Sequence, residues 1–418
     1  MRACSRLALD VAVSAHARKQ AEPDFHVQGR CPRVPYWREA GYHNALIGKN
    51  HCFDLPEDLA LFETWCEVSH GGLPKGVRHR GMSWFRPEAG VRSAHELRYT
   101  LVPQNPRFGY ATSDFPLEDH STGLIAGQTV RFLERHRDGP FALWVSFPDP
   151  HEPWVVPARY AEMFPAERIV LPPWEEDEFD ERAPERNRVL YKMLGVEDDP
   201  EWQLRGLMGV YYGMVRFIDD VLAQILGALA DLGLRERTIV AFCSDHGDMM
   251  GEHRMQCKGG VFYDCLTRVP LVVSWPGIVP TGSRESSMVS LIDIVPTLLR
   301  LQGIDVPRSM QGAGLPGAVH VPRRDAAFSE YGAGGPPFRI ADLLGLPEPY
   351  GRRTLIRSLQ WREAEGRRKR EEGYWTVVVK PRAGTCTDST RASATEIVRG
   401  SAMCTTASAR APAGLGFP

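Results

Sequence analysis

The sequence predicts an α/β fold: a mostly parallel central sheet flanked by helices, with a smaller C-terminal appendage. Three observations carry this. Short apolar runs rich in β-favouring residues alternate with helical patterns through the middle of the chain. The strand-like runs are apolar on both faces, as strands covered on both sides must be. Each run closes on a Pro, Asp or Gly turn signal.

Along the chain, residues 1–32 show no sustained period and remain unplaced. Met1–Ala17 is weakly apolar, but Asp10 interrupts the run that a secretory signal needs, so a cytoplasmic location is expected. The α/β domain spans 33–324. Within it, Gly41–His51 places Lys49 and His51 on one face if the stretch is extended. His120–Arg137 reads as a helix that stops at Gly139-Pro140, and Phe141–Phe147 follows as a strand. A long helix comes next. Leu207, Val210, Met214, Phe217, Val221, Ile225 and Leu229 recur at spacings of three and four, and Gly233 supplies the stop. Thr238–Ser244 and Val269–Trp275 read as further buried strands. Residues 325–385 form the appendage, in which the charge run Trp361–Glu372 is expected to be a solvated helix face. Residues 386–418 hold 19 Ala, Ser, Thr or Gly and five of Ile, Val, Leu, Met and Phe, too few for a core element, and read as a disordered tail.

Composition narrows the function classes. Lys and Arg number 50 against 52 Asp and Glu, a net charge of −2, so no global field draws the chain to nucleic acid or to an anionic membrane. No apolar run reaches the ~20 residues that span a bilayer. Nine cysteines, an odd number without any CxxC, suit neither a disulfide framework nor a zinc knuckle, and a reducing compartment is expected.

Three loops carry candidate chemistry, and in parallel sheets ligands bind at the carboxyl ends of strands. After Ser244 comes Asp245-His246-Gly247-Asp248, then Glu252-His253 and Lys258. A carboxylate beside an imidazole suits a divalent cation, and it equally suits a helix N-terminus capped by Asp245. After Phe147, Pro148-Asp-Pro-His-Glu-Pro-Trp154 presents His151 from a loop stiffened by three prolines. Lys49 and His51 form the third group. Together they offer two histidines, two lysines and a metal pair, an inventory for a tetrahedral anion such as sulfate or phosphate.

Several segments in one order then resemble the sulfatase family of the alkaline phosphatase superfamily, over about residues 33–380. They are Glu39–His51, Phe147–Trp154, Tyr211–Asp220, Ser244–His253, Arg268–Gly277 and Asp293–Leu299. The resemblance implies an alkaline phosphatase-like sulfatase fold and a sulfuric ester hydrolase acting on a small-molecule sulfate ester. A phosphate or phosphonate ester is the alternative substrate, because the Asp-His pair looks like the choline-sulfatase and phosphonate monoester hydrolase branch. It implies no nucleic-acid or membrane partner and leaves room for a homo-oligomer. By the same resemblance Lys49, His51, His151 and Lys258 contact the anion or the leaving group, and Asp245 and His246 hold a divalent metal, Ca2+ or Mn2+.

The family's formylglycine nucleophile arises in a Cys- or Ser-x-Pro-Ser-Arg motif, and that motif is absent here. The nearest remnant is Cys4-Ser5-Arg6; Cys31-Pro32-Arg33 lies too close to Lys49. No acidic strand end is recognisable ahead of Gly41, and no closing strand motif after Lys380. The chain therefore reads as a family member truncated or altered at both ends. The rival reading is a catalytically dead anion-binding remnant.

Overall fold

The computed structural model describes residues 6–10, 33–50, 53, 59–68, 74–86, 88–101, 109–196, 200–259, 261–331, 339–343, 375–379 and 398–399. His51, Cys4, Cys31, the charge run Trp361–Glu372 and most of 386–418 lie outside them.

In chain order the strands are β1 (Arg6–Asp10), β2 (His43–Lys49), β3 (Thr64–Val68), β4 (Pro74–Arg80), β5 (Tyr110–Ser113), β6 (Phe141–Ser146), β7 (Trp154–Pro157), β8 (Thr238–Cys243), β9 (Met249–Met250), β10 (Gln256–Cys257), β11 (Leu271–Ser274), β12 (Ala327–Tyr331), β13 (Trp375–Val379) and β14 (Val398–Arg399). The helices of eight residues or more among the described residues are α1 (Glu88–Leu101), α2 (Ser121–Arg135), α3 (Glu185–Leu194), α4 (Glu201–Asp231) and α5 (Ile294–Leu301).

Seven strands form the main sheet in the order β11-β8-β1-β6-β2-β3-β4. The five inner strands are parallel, and β11 and β4 pair antiparallel at the edges. Alternate side chains enter two apolar layers. Ala45, Ile47, Leu143 and Val145 pack on one face with Ile125, Phe132, Leu207, Met214 and Phe217 of α2 and α4. Leu46, Trp65, Trp144 and Ile239 pack on the other with Ile294, Leu298 and Leu299 of α5. This is why the inner strands read as unbroken apolar runs. The α4 helix starts six residues earlier than its apolar stripe suggests, at Glu201 after Pro200, and Gly233 follows it at φ +65, a left-handed stop.

The structure corrects three expectations. Val269–Trp275 is not a buried strand: its ordered part, β11, lies at the sheet edge, and Val272 is 56% exposed. Within the unplaced 1–32 segment, Arg6–Asp10 is a central strand, between β6 and β8, and it ends in an acidic residue at the register of Phe242. The appendage contains a separate antiparallel sheet, β12-β13-β14, whose last strand lies beyond residue 385, inside the stretch expected to be a tail.

Two further features bear on stability. At the amino end of β2, the His43 and His136 rings lie 4.1 Å apart, His136 stacks on Phe132, and His43 Nε2 bonds Thr64 Oγ1 at 2.8 Å. Ahead of α5, the fully buried Asp293 carboxylate accepts from the Ser290 and Ala313 amides at 2.8 and 2.9 Å and pairs with Arg324.

Candidate active site

Three parallel strands deliver the predicted residues to one end of the sheet. Lys49 ends β2, His151 lies in the loop after β6, and Asp245 and His246 follow β8. Gly48 has φ +111 and passes β6 so closely that a Cβ there would sit 2.0 Å from the Ser146 carbonyl oxygen. Only glycine permits that approach, and it fixes where Lys49 leaves the sheet. Gly247 plays the matching part after β8. Its amide donates to the Leu266 carbonyl at 2.9 Å, and a Cβ would meet the Cys265 carbonyl oxygen at 1.8 Å.

The loop after β6 is tied down by Asp149, a buried residue whose Oδ2 accepts from Thr122 Oγ1 on α2 at 2.6 Å. His151 Nδ1 bonds the Glu152 carbonyl at 2.8 Å, so Nδ1 carries the hydrogen and Nε2 the lone pair. Lys258 comes from a later segment. It follows the short β9–β10 hairpin, and Cys257 at φ +61 turns the chain immediately before it.

Electrostatics show that these groups share one site. Burial lowers the Lys49 pKa, with Asp245, Glu152 and Asp248 drawing it back up and Lys258 adding to the depression. Burial, then Lys258, Lys49 and His246, push His151 down to about 2 against the hydrogen bond to Glu152, so its imidazole is neutral. Lys258 is pulled both ways: burial disfavours its ammonium, Asp248 and Glu152 favour it, and the carboxylates prevail to raise its pKa. Lys49, His151, Asp245, His246 and Lys258 are thus close enough for their charges to act on one another. His51 lies outside the described residues.

The lysines do not stand without carboxylates around them. Lys258 Nζ lies 3.8 Å from both Glu152 Oε2 and Asp248 Oδ1. Asp248 accepts from Tyr211 on α4 at 3.4 Å, and burial raises its pKa. Glu152, Asp248 and Tyr211 all lie inside the motifs quoted above, yet sequence reasoning gave them no role. The signal was an acidic residue next to His151 in one loop and two residues after His246 in the other.

Asp245 and His246 have the arrangement of a metal pair. His246 Nδ1 bonds the Gly247 carbonyl at 2.8 Å, which leaves Nε2 with its lone pair 3.7 Å from Asp245 Oδ2. One cation coordinated at about 2.0–2.6 Å bridges that span, and a backbone carbonyl on the second ring nitrogen is the usual way a ligating histidine is oriented. The pair supplies two ligands. No group of three or more His, Cys, Asp or Glu that could hold a metal occurs among the described residues.

Paired lysines, a neutral histidine and an oriented Asp-His pair at the carboxyl ends of parallel strands are the make-up of a site for an anionic ester. The sulfatase family model matches residues 34–304, and the chain belongs to the sulfatase family. It is 28% identical over 316 residues to an arylsulfatase of Clostridium perfringens, covering 70% of this chain and 62% of the relative. It is also 28% identical over 309 residues to a choline-sulfatase of Rhizobium meliloti, covering 71% and 58%. The chain thus spans about three-fifths of the length of these relatives. Among solved structures it resembles the phosphonate monoester hydrolase of Silicibacter pomeroyi, with a TM-score of 0.62 at 17% identity over 90% of this chain and 78% of that one. This likeness establishes the alkaline phosphatase-like fold.

Proposed function

We propose that the site binds small-molecule sulfate esters, with the sulfate group between Lys49 and Lys258 and the ester oxygen facing His151. The observation that carries this reading is the convergence of those three residues beside the Asp245-His246 pair. Two ammonium groups beside it would stabilise charge on a transferring sulfuryl group. His151 is neutral in the substrate-free protein because burial and, after it, the two lysines oppose its protonation; an anion that offsets the lysines favours the protonated form. In that form it donates to the leaving-group oxygen. Asp245 and His246 would hold a divalent cation, which supplies Lewis-acid polarisation of the ester.

Sulfatases generally use a divalent metal and a formylglycine, and the sequence has no motif that yields formylglycine. A covalent nucleophile misplaced by about 1 Å already costs on the order of a hundredfold in rate. We therefore infer binding without appreciable turnover: hydrolysis of p-nitrophenyl sulfate by the purified chain should match that of a His151→Ala, Lys258→Ala double variant. Turnover clearly above that control, or a mass shift marking formylglycine at Cys4, overturns the inactivity. Preferential hydrolysis of p-nitrophenyl phenylphosphonate would instead make phosphorus esters the substrate.

A further inference from the structure

We propose that Glu152 is a built-in competitor for the anion: its carboxylate takes the place beside Lys258 that a sulfate group takes on binding. The inference rests on the reading of this site as a sulfate-ester site and adds the element that limits its affinity.

Glu152 Oε2 lies 3.8 Å from Lys258 Nζ, a proposed anion contact; its 3.1 Å approach to His151 is to Nδ1, the nitrogen already bonded to the Glu152 carbonyl. A carboxylate and a sulfate offer such donors the same kind of acceptor oxygen. Three carboxylates approach the two lysines, and they are not equivalent. Asp248 is 8% exposed in its side chain and bonded to Tyr211, so withdrawing it would strand a buried charge. Asp245, at 25%, is half of the metal pair. Glu152 is 46% exposed and can swing into water, where its charge is solvated.

A purely architectural role does not account for its position. The loop is already held by Thr122 on Asp149 and by its prolines, and His151 is bonded by the backbone carbonyl of Glu152 rather than needing the side chain. What the side chain adds is negative charge at the point where an anion must enter. An incoming sulfate exchanges with that carboxylate instead of meeting an open ammonium group.

The test is calorimetric titration of inorganic sulfate into the full chain at fixed pH and ionic strength, for wild type, Glu152→Gln and Lys258→Ala. Glutamine keeps the volume and removes the charge. Releasing a partly exposed ion pair of this kind predicts sulfate binding about two- to fivefold tighter in Glu152→Gln. Glu152→Ala carries the same expectation and serves if the first variant unfolds, as judged by its thermal midpoint. Equal or weaker binding in the folded Glu152 variants overturns the competitor, provided that wild type binds more tightly than Lys258→Ala. If wild type and Lys258→Ala bind equally, the anion-site reading itself fails, whatever Glu152 does.

Discussion

Replacing Gly48 by alanine separates geometry from chemistry, because the residue carries no functional group and yet sets the exit of Lys49. The added Cβ would lie 2.0 Å from the Ser146 carbonyl oxygen and 2.9 Å from its carbon, both backbone atoms, so β2 and β6 must part at their carboxyl ends. Overpacking of this kind costs about 1–3 kcal/mol. A φ of +111 adds about 1–3 kcal/mol of backbone strain for a residue with a side chain. The total, about 2–6 kcal/mol, is a large part of the roughly 5–15 kcal/mol that holds an ordinary domain together. Urea unfolding followed by tryptophan fluorescence should show a much lower midpoint, and sulfate titration of the folded fraction should show loss of affinity as Lys49 shifts. Gly139→Ala is the control. That position has ordinary φ and nothing within 4 Å of an added Cβ, so it should change stability by less than about 0.5 kcal/mol. Equal midpoints for the two variants would refute the claim that close approach at Gly48 shapes the site.

Three further outcomes are expected. Asp245→Asn and His246→Gln should each weaken calcium or manganese binding by calorimetry, from a wild-type affinity that is itself weak because two ligands fill only part of a shell; tight wild-type binding would show that further ligands reach the ion. Acid should destabilise the fold through His136, which burial and the neighbouring His43 and Arg135 hold down to about 4. The folded state binds fewer protons than the unfolded one between pH 6.5 and about 4, so stability falls as pH drops through that window, by about 1–3 kcal/mol, and His136→Gln should flatten it; Glu63, which favours the charge on His43, moderates the effect. Asp293→Ala should cost about 3–5 kcal/mol in chemical denaturation, because it strands Arg324 and two amides, and an unchanged midpoint would count against the buried ion pair as an anchor of the 311–315 segment.

How far the sequence revealed this molecule depended on which signal each residue left. Strands β6 and β8 were legible because both faces are apolar, and α4 because its stripe keeps a helical period over many turns. The same rule misplaced β11, since an apolar run does not say whether a second neighbour strand exists. Strand β1 escaped because Arg-Leu-Ala-Leu-Asp is short and the apolar Val11-Ala12-Val13 that follows in sequence blurs where the run ends. The site residues were found through motif order. Their mutual charges were not, because Glu152 and Asp248 become partners of Lys258 only when a left-handed turn at Cys257 brings Lys258 back over the strand ends.

The position of β1 also has a consequence for assembly. Its residue Leu7 pairs with Ala142 and Ile239, positions 135 and 232 residues later in the chain. The segment at the centre of the sheet is thus made long before either neighbour exists. Until β8 emerges it presents an unpaired backbone edge, and closing such distant partners is slow. During synthesis the nascent chain must hold this segment uncommitted, which makes the interval between residues 10 and 243 the stage at which chaperone engagement and misassembly are decided.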